Sequence, residues 1–227
     1  MKLVLYDVDS CGEYEFEDGY VLSIECMDKN YFNRLIAGLK GFNDNKIAVF
    51  KGLERIDFVK DCLIIIDYFS LEQYEKSILT KLYKMLEKTY SNEPSVINSM
   101  QDIYTSMANI IRTVSDGTMV DLAFEMPTSL ADYFKFATVK PDGSFEYGAI
   151  GLSNLLSSIA TLNLYKLVVL VNPKSFYSED DLSEIVKTCV YSDLKVLLLD
   201  NVITNSRLQN EIKIVVDEDY FDVTYKE

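Results

Sequence analysis

Carboxylates are the side chains in this sequence whose spacing is best suited to chemistry. Asp121 and Glu125 lie four residues apart, and Asp142 and Glu146 repeat that spacing. A separation of four brings two side chains to one face of a helix. Ca²⁺ is bound by about six to eight oxygens in proteins, so four carboxylates could supply the charged part of a calcium site. The EF-hand pattern is absent, and ordinary solvated acids are the alternative interpretation.

Two more aspartates end apolar runs that are typical of buried strands. Asp67 follows Ile64-Ile65-Ile66, and Asp200 follows Val196–Leu199. An aspartate in this position could hold Mg²⁺ in a nucleotide hydrolase, and it is also a common structural residue. Neither Gly-Lys-Ser/Thr nor GxGxxG occurs in the sequence, so the glycine-rich loop that cradles phosphates is missing. We therefore expect no nucleotide hydrolysis, although the strand pattern suits that fold.

Composition excludes several classes of enzyme. The chain has 227 residues and no histidine, which rules out Ser-His-Asp and Cys-His catalysis and every zinc site that needs imidazole. The 22 basic residues against 36 acidic ones give a net charge of −14. Such a charge opposes loose binding to nucleic acid, because that binding depends on neutralised phosphates.

Basic residues are nevertheless concentrated in one segment. Residues 29–60 contain seven Lys or Arg, including Lys46 and Lys51, and three acids, which leaves a net charge of +4. A basic segment within an acidic chain is a candidate surface for a polyanion. An ordinary solvated face is the alternative.

The chain start and the cysteines indicate the compartment. Met1–Tyr6 is followed at once by Asp7 and Asp9, unlike a signal peptide, and no apolar run approaches the length of about 20 residues that a membrane span needs. None of the four cysteines forms a CxxC pair, and we expect them to be small buried hydrophobic residues. We expect a reduced, soluble, cytoplasmic protein without membrane contact.

Hydrophobic periodicity divides the chain into three parts. Residues 1–70 and 163–227 carry short β-type runs with two intervening helices, which we predict at Lys29–Leu39 and, capped by Ser178, at Glu179–Val190. The predicted strands are Lys2–Tyr6, Tyr20–Glu25, Lys46–Phe50, Cys62–Asp67, Lys166–Val171, Lys195–Leu199 and Ile212–Val216. Residues 71–162 are mostly helical in pattern, and a short helix is predicted from Met126 to Phe136. This order predicts an α/β sheet domain with an inserted α-helical domain.

The longest predicted helix begins near Pro94 and carries an apolar seam. Its residues recur at steps of four and three, as in a heptad: Val96, Met100, Ile103, Met107, Ile110 and Val114. The core seam of a helical bundle is the favoured interpretation. A seam that binds a partner or a second copy of the chain is the alternative.

Several segments, taken in order, resemble a known family. They are Ile64–Asp67, Leu86-Glu87 followed by Asn92–Met100, Lys166–Asn172, Leu194–Leu199 and Asp217–Phe221. With the layout of strands, helical insertion and strands, they resemble the accessory protein of type II-A CRISPR systems that acts in spacer acquisition. The resemblance extends over about two-thirds of the chain.

The resemblance implies a specific architecture and function. The fold would be a P-loop-ATPase-like sheet domain without ATPase motifs, the head (1–70 and 163–227), with an inserted helical leg (71–162). Four subunits would form a ring whose lysine-lined hole holds an end of double-stranded DNA, and Ca²⁺ would hold the ring in shape. The protein would not be an enzyme, and it would act with the CRISPR integrase complex and the effector nuclease.

The resemblance also carries over to individual residues. Asp121 and Asp142 match acidic calcium ligands of the family, and Glu125 and Glu146 match neighbouring acids, although Ala123, Phe124 and Met126 make the acidic run thinner here. Lys140 matches a DNA-binding position, and Lys46 and Lys51 match by neighbourhood.

Two rival functions remain at the level of sequence. One is a nucleotide-dependent enzyme with an unusual phosphate loop. The other is an acidic scaffold whose Val96–Val114 seam binds a protein partner and which does not bind DNA.

Overall fold

The computed structural model describes residues 1–6, 8, 12–42, 46–118, 122–141 and 147–226. It forms two compact units. The sheet unit comprises Met1–Glu75 with Gly143–Glu227, and the helical unit comprises Lys76–Asp142. The predicted domains divide the chain at residues 70 and 162, and that division stays a prediction.

The sheet unit contains all the strands of the described residues. They are β1 (Lys2–Leu5), β2 (Glu13–Glu15), β3 (Val21–Cys26), β4 (Ile47–Lys51), β5 (Glu54–Arg55), β6 (Cys62–Ile65), β7 (Leu167–Val171), β8 (Val196–Asp200), β9 (Glu211–Val216) and β10 (Asp222–Lys226). Its helices are α1 (Lys29–Leu39), α2 (Phe58–Asp61), α6 (Ala149–Thr161), α7 (Pro173–Phe176) and α8 (Glu179–Tyr191).

The strands form two sheets. The large sheet has the order β10-β9-β3-β8-β7-β6, in which β10 is antiparallel and the other five strands are parallel. If the parallel strands are counted in chain order, from β3 as the first to β9 as the fifth, their order across the sheet is 5-1-4-3-2. The small sheet, β2-β1-β4-β5, is antiparallel throughout. The predicted α/β class, with a P-loop-like sheet and a helical insertion, is confirmed.

Capping residues determine where the helices begin. The Asp28 side chain accepts a 2.6 Å hydrogen bond from the backbone N–H of Tyr31, which starts α1 directly after β3. Ser178 caps α8 in the same way, as predicted, and three acids follow in its first turn. Short polar side chains satisfy amides at a helix start that would otherwise lack partners.

The core of the sheet unit lies on the face of the large sheet that carries Leu22, Ile24 and Ile214. These residues belong to one buried cluster with apolar residues of α1 and of the small sheet. Residues such as Leu3 and Leu35 are fully buried there. Helix α1 contributes because its apolar residues recur at helical spacing.

The same sheet also contains a buried layer of charge. Glu25 of β3, Glu211 and Lys213 of β9 and Asp200 of β8 share one face by strand register, and all are at most 3% exposed. Lys174 of α7 adds its ammonium, which contacts Glu25 Oε1 at 2.8 Å and Glu211 Oε1 at 2.5 Å. These five residues are called the buried ionic network below.

Glu25 is the centre of the buried ionic network. Its second oxygen, Oε2, contacts Lys213 Nζ at 2.8 Å and accepts a hydrogen bond from the Thr204 backbone N–H at 2.8 Å. Burial opposes the ionisation of Glu25, but hydrogen bonds from Lys174 and Lys213 outweigh it and lower its pKa. Burial likewise opposes the charge on Lys174, whose pKa is still raised by Glu211 and Glu25. Both groups are therefore ionised at neutral pH.

The helical unit contains most of α3 (Glu72–Tyr90), with α4 (Pro94–Thr118) and α5 (Leu130–Phe136). Helix α5 begins later than the predicted start near Met126, because Ser129 caps it by accepting a hydrogen bond from the Asp132 N–H. Across the described ranges, no helix combines the length and apolar character needed to cross a membrane.

Replacing Lys174 by Met should destabilise the sheet unit strongly. Removing one partner of a buried ion pair leaves charge without compensation, at a cost of about 3–5 kcal/mol. Urea unfolding, followed by circular dichroism, measures the loss. Lys166→Met is the matched control, because Lys166 pairs with Asp61 at 2.9 Å while 40% of its side chain remains exposed. Equal destabilisation by the two substitutions would contradict the prediction.

Candidate functional site

Of the four candidate calcium ligands, the described residues include one. Glu125 lies in the segment between α4 and α5, which has no regular secondary structure at this residue, and its side chain is exposed. Asp121, Asp142 and Glu146 lie outside the described residues. Within the described ranges, no group of three or more acidic, Cys or His side chains could hold a metal ion. Glu125 is therefore accessible, and a calcium site shared by the four carboxylates stays a prediction.

The candidate DNA-binding lysines occupy separate positions. Lys46 precedes β4 and is half-buried, whereas Lys51 ends the same strand and is exposed. Five residue steps, about 17 Å of strand, separate their α-carbons, so the two lysines occupy different places along the strand. Lys140 is exposed in the helical unit.

Lys51 lines a pocket of about 300 Å³ together with Lys166 and Lys195. Lys166 pairs with Asp61, and Lys195 pairs with Asp18 at 2.7 Å and Asp193 at 3.0 Å. Helices α6 and α8 end beside this pocket. Their carbonyl ends carry partial negative charge, which the lysines offset. Asp18, Asp61 and Asp193 therefore offset part of the positive charge around this pocket, and Lys51 takes part in none of the ion pairs recorded between described residues.

The strand-to-helix connections of the large sheet, as far as the described residues show them, differ from a phosphate-binding loop. Only Met27 and Asp28 separate β3 from α1, and only Asn172 separates β7 from α7. The third strand-to-helix connection, Ile66–Leu71, has six residues and no glycine. The phosphate loop of nucleotide hydrolases needs a longer, glycine-rich connection. At the start of α1, the Asp28 carboxylate occupies the position that would otherwise attract an anion.

The two strand-end aspartates do not form a metal site together. Asp67 follows β6 and Asp200 ends β8, with β7 between these strands. Asp67 accepts a hydrogen bond from the Phe69 N–H at 2.9 Å, and such turn hydrogen bonds lower its pKa. Asp200 is buried within the ionic network. Sequence patterns indicated both aspartates, but Glu25, Lys174 and Glu211 were missed because they lie far apart in the chain.

The predicted apolar seam of α4 is present, but it is not a core seam. No residue of α4 is buried in the chain, which corrects the favoured prediction. Val96, Met100 and Met107 are half-buried, whereas the exposed fractions of Ile103, Ile110 and Val114 are 47%, 58% and 47%.

An open apolar cavity of about 540 Å³ adjoins the first half of this seam. It is lined by Val96, Met100 and Ile103 from α4 and by Tyr133 and Phe134 from α5. Tyr83 of α3 donates a 2.6 Å hydrogen bond to the Val139 carbonyl and holds the chain that follows α5. The helical unit therefore presents an uncovered apolar surface along α4.

Comparison with known proteins identifies the family. The model of the family described as CRISPR-associated protein (Cas_Csn2) matches residues 42–220. A solved structure, described as the crystal structure of Stu0660 of Streptococcus thermophilus, resembles this chain with a TM-score of 0.55. The match covers 96% of this chain and 74% of that chain at 15% identity, so this likeness shows the fold alone. No curated protein matches the chain.

The extent of the family match decides the assignment. It runs through both compact units and leaves out 41 residues at the start and seven at the end of the chain. The protein therefore belongs to the CRISPR-associated Cas_Csn2 family, the type II-A accessory proteins that its sequence resembles.

Proposed function

We propose that this chain is a non-enzymatic protein that binds the ends of double-stranded DNA. It forms a homotetrameric ring, is stabilised by Ca²⁺, and acts in CRISPR adaptation with the integrase complex and the effector nuclease. Family membership supports the role in a CRISPR system. The observation that carries the proposal is the uncovered apolar seam of α4, because a ring needs contact surfaces between its subunits.

The large sheet supports a role without catalysis on nucleotides. Its strand-to-helix connections are too short or lack glycine, and Lys174 and Glu25 occupy the crevice between strands. Ligands of open α/β sheets bind at the carboxyl ends of the strands, where this crevice lies. A nucleotide would have to displace a buried ion pair to enter.

Charge placement on α4 favours a second copy of the chain as the partner of its seam. At 100° per residue, the charged residues of this helix, Asp102, Arg112 and Asp116, lie about half a turn away from Met107 and the seam. Two seams can therefore approach each other without bringing like charges together. The chain has a net charge of −14, so two copies repel each other overall, whereas the seam face of α4 carries no charged residue.

A ring also reconciles DNA binding with the acidic composition. One chain offers the three candidate lysines at separate positions, whereas four copies around a hole would surround a duplex with twelve. Phosphate contacts from lysines carry no base information, so binding would depend on shape and ends. The exposed positions of Lys51 and Lys140 support this role.

Calcium is proposed as a structural ion held by Asp121, Glu125, Asp142 and Glu146. Hard carboxylate oxygens suit Ca²⁺, and the chain has no histidine for softer metals. The exposed Glu125 is free to approach a cation. These carboxylates would repel one another without the ion, so the ion would stabilise the segments that carry them.

Replacing Ile110 by Asp should reduce the assembly to smaller species. The new charge lies in the centre of the exposed half of the α4 seam and must be desolvated in any subunit contact there. Native mass spectrometry or light scattering measures the mass. Asn109→Asp is the matched control, because residue 109 is exposed on the opposite face of α4. A wild-type tetramer that persists in Ile110→Asp would contradict this assembly surface.

Replacing Lys140 by Glu should weaken binding to all linear duplexes alike. The slope of log affinity against log salt is negative, and each lost phosphate contact makes it less steep by about 0.9. Gel-shift titrations at several salt concentrations measure both effects. Lys187→Glu makes the same charge change on the exposed surface of α8 and should leave binding nearly unchanged. Strong sequence preference, or equal affinity for closed circles, argues against a threaded ring.

Removing calcium should lower the melting temperature and weaken DNA binding together. An ion that binds only the folded state stabilises it by about 2.7 kcal/mol at a hundredfold excess over Kd. Asp121→Ala and Asp142→Ala should remove the response to added calcium, whereas Glu218→Gln, in the tail, should keep it. Identical melting and DNA binding of the wild type in calcium and in chelator would refute the calcium site.

A further inference from the structure

The buried ionic network has an unbalanced charge. Three carboxylates, those of Glu25, Asp200 and Glu211, face two ammonium groups, those of Lys174 and Lys213. If all five groups are ionised, one negative charge is left in a site that is almost closed to water. A buried charge without a partner is strongly unfavourable. The network therefore needs one more positive charge.

Hydrogen bonds identify the carboxylate that lacks a partner. Each oxygen of Glu25 contacts an ammonium group. Glu211 contacts Lys174 through Oε1 and the Leu208 N–H through Oε2 at 2.9 Å. Among the described residues, Asp200 Oδ1 accepts a single hydrogen bond, from the Lys174 backbone N–H at 3.1 Å. Its Oδ2 is buried and has no hydrogen-bond partner in the described part of the chain.

The surroundings of Asp200 disfavour a negative charge on it. Asp200 is faced by Glu25 and Cys26 of β3, Glu211 of β9, Lys174 of α7 and Tyr68 in the turn after β6, all of which can titrate. Only the lysine among them favours the ionised form of Asp200. Its ammonium is already engaged by Glu25 and Glu211.

We propose that Asp200 balances the buried ionic network by binding a proton, and that the sheet unit loses stability when this proton leaves as the pH rises. The Oδ2 atom, which lacks a hydrogen-bond partner among the described residues, carries the proton. Asp200 is then neutral, and two carboxylates remain for two ammonium groups.

The direction of the pH dependence follows from the titration of Asp200. Burial raises its pKa from the ordinary 3.8 to about 7, and the attraction of Lys174 opposes this only in part. Between these two values the folded chain keeps the proton and the unfolded chain does not. The stabilisation is therefore complete below pH 3.8 and is lost as the pH rises through about 7. Ordinary ion-paired carboxylates give the opposite slope.

Loss of the proton should loosen the chain that covers the network. Residues 201–210 follow Asp200 directly, and Thr204 and Leu208 of this segment donate hydrogen bonds to Glu25 and Glu211. A negative Asp200 competes for Lys174 and weakens these contacts. Faster amide hydrogen exchange is therefore expected first in residues 201–210.

Asp200→Asn tests the proposal, because its amide mimics the protonated acid in size and cannot ionise. Urea unfolding of the full chain is measured from about pH 5 to pH 9 for wild type and variant. The unfolding equilibrium constant of the wild type, divided by that of the variant, should rise by up to about tenfold per pH unit below about pH 7. Above about pH 8 this ratio should be constant. Asp180→Asn, an exposed change on α8, should follow the wild-type pH dependence.

Infrared spectroscopy of the wild type gives a second readout if Asp200→Asn does not fold. A protonated carboxyl band should be present in the folded chain at about pH 6 and disappear by about pH 9. A parallel pH dependence of wild type and Asp200→Asn, or the absence of this band in folded wild type, would overturn the proposal.

Discussion

The sheet unit depends on the pairing of one buried carboxylate, that of Glu25, with two ammonium groups. Glu25 lies on β3, which has neighbours on both sides in the large sheet. Lys213 comes from the adjacent β9, and Lys174 comes from the connection after β7, across β8. The pairing therefore fixes how strands from both ends of the chain are assembled. Apolar packing would tolerate small shifts of these strands, whereas a buried ion pair requires its partners at hydrogen-bond distance.

The same pairing lies near the carboxyl ends of β3 and β8, and ligands of open α/β sheets usually bind at that edge. The crevice at the carboxyl ends of parallel strands is open to ligands in many α/β proteins. In this chain Lys174 pairs with Glu25 near that edge, and Thr204 and Leu208 of the segment 201–210 donate hydrogen bonds to Glu25 and Glu211. The turn between β3 and α1 has only two residues, Met27 and Asp28. Internal charge therefore lies near the edge where ligands of such sheets bind.

Local sequence patterns predicted the helices and strands whose apolar residues are regularly spaced along the chain. Helix α1 was predicted at Lys29–Leu39 and α8 at Glu179–Val190, because apolar spacing and a capping Ser178 define them. Strands β2 and β5 were missed because three and two residues are too few to show alternation. Strand β10 was also missed, because none of its five residues is buried and no apolar run marks it. Partners in the ionic network are up to 149 residues apart, so no local signal predicts them. The spacing of apolar residues predicted the α4 seam, but spacing alone does not show which surface packs against it.

Helix α4 couples the stability of the helical unit to whatever covers the seam. Its sequence is rich in Ser, Asn, Thr and β-branched residues, which are moderate helix formers, and none of its residues is buried in the single chain. Helices in proteins owe most of their stability to the packing of an apolar face. Covering Ile103, Ile110 and Val114 would supply that packing, at about 25 cal/mol for each Å² removed from water. If a second copy covers the seam, as proposed above, folding of this helix and association of the chain are linked equilibria, and the helical unit would become more ordered as the chain concentration rises.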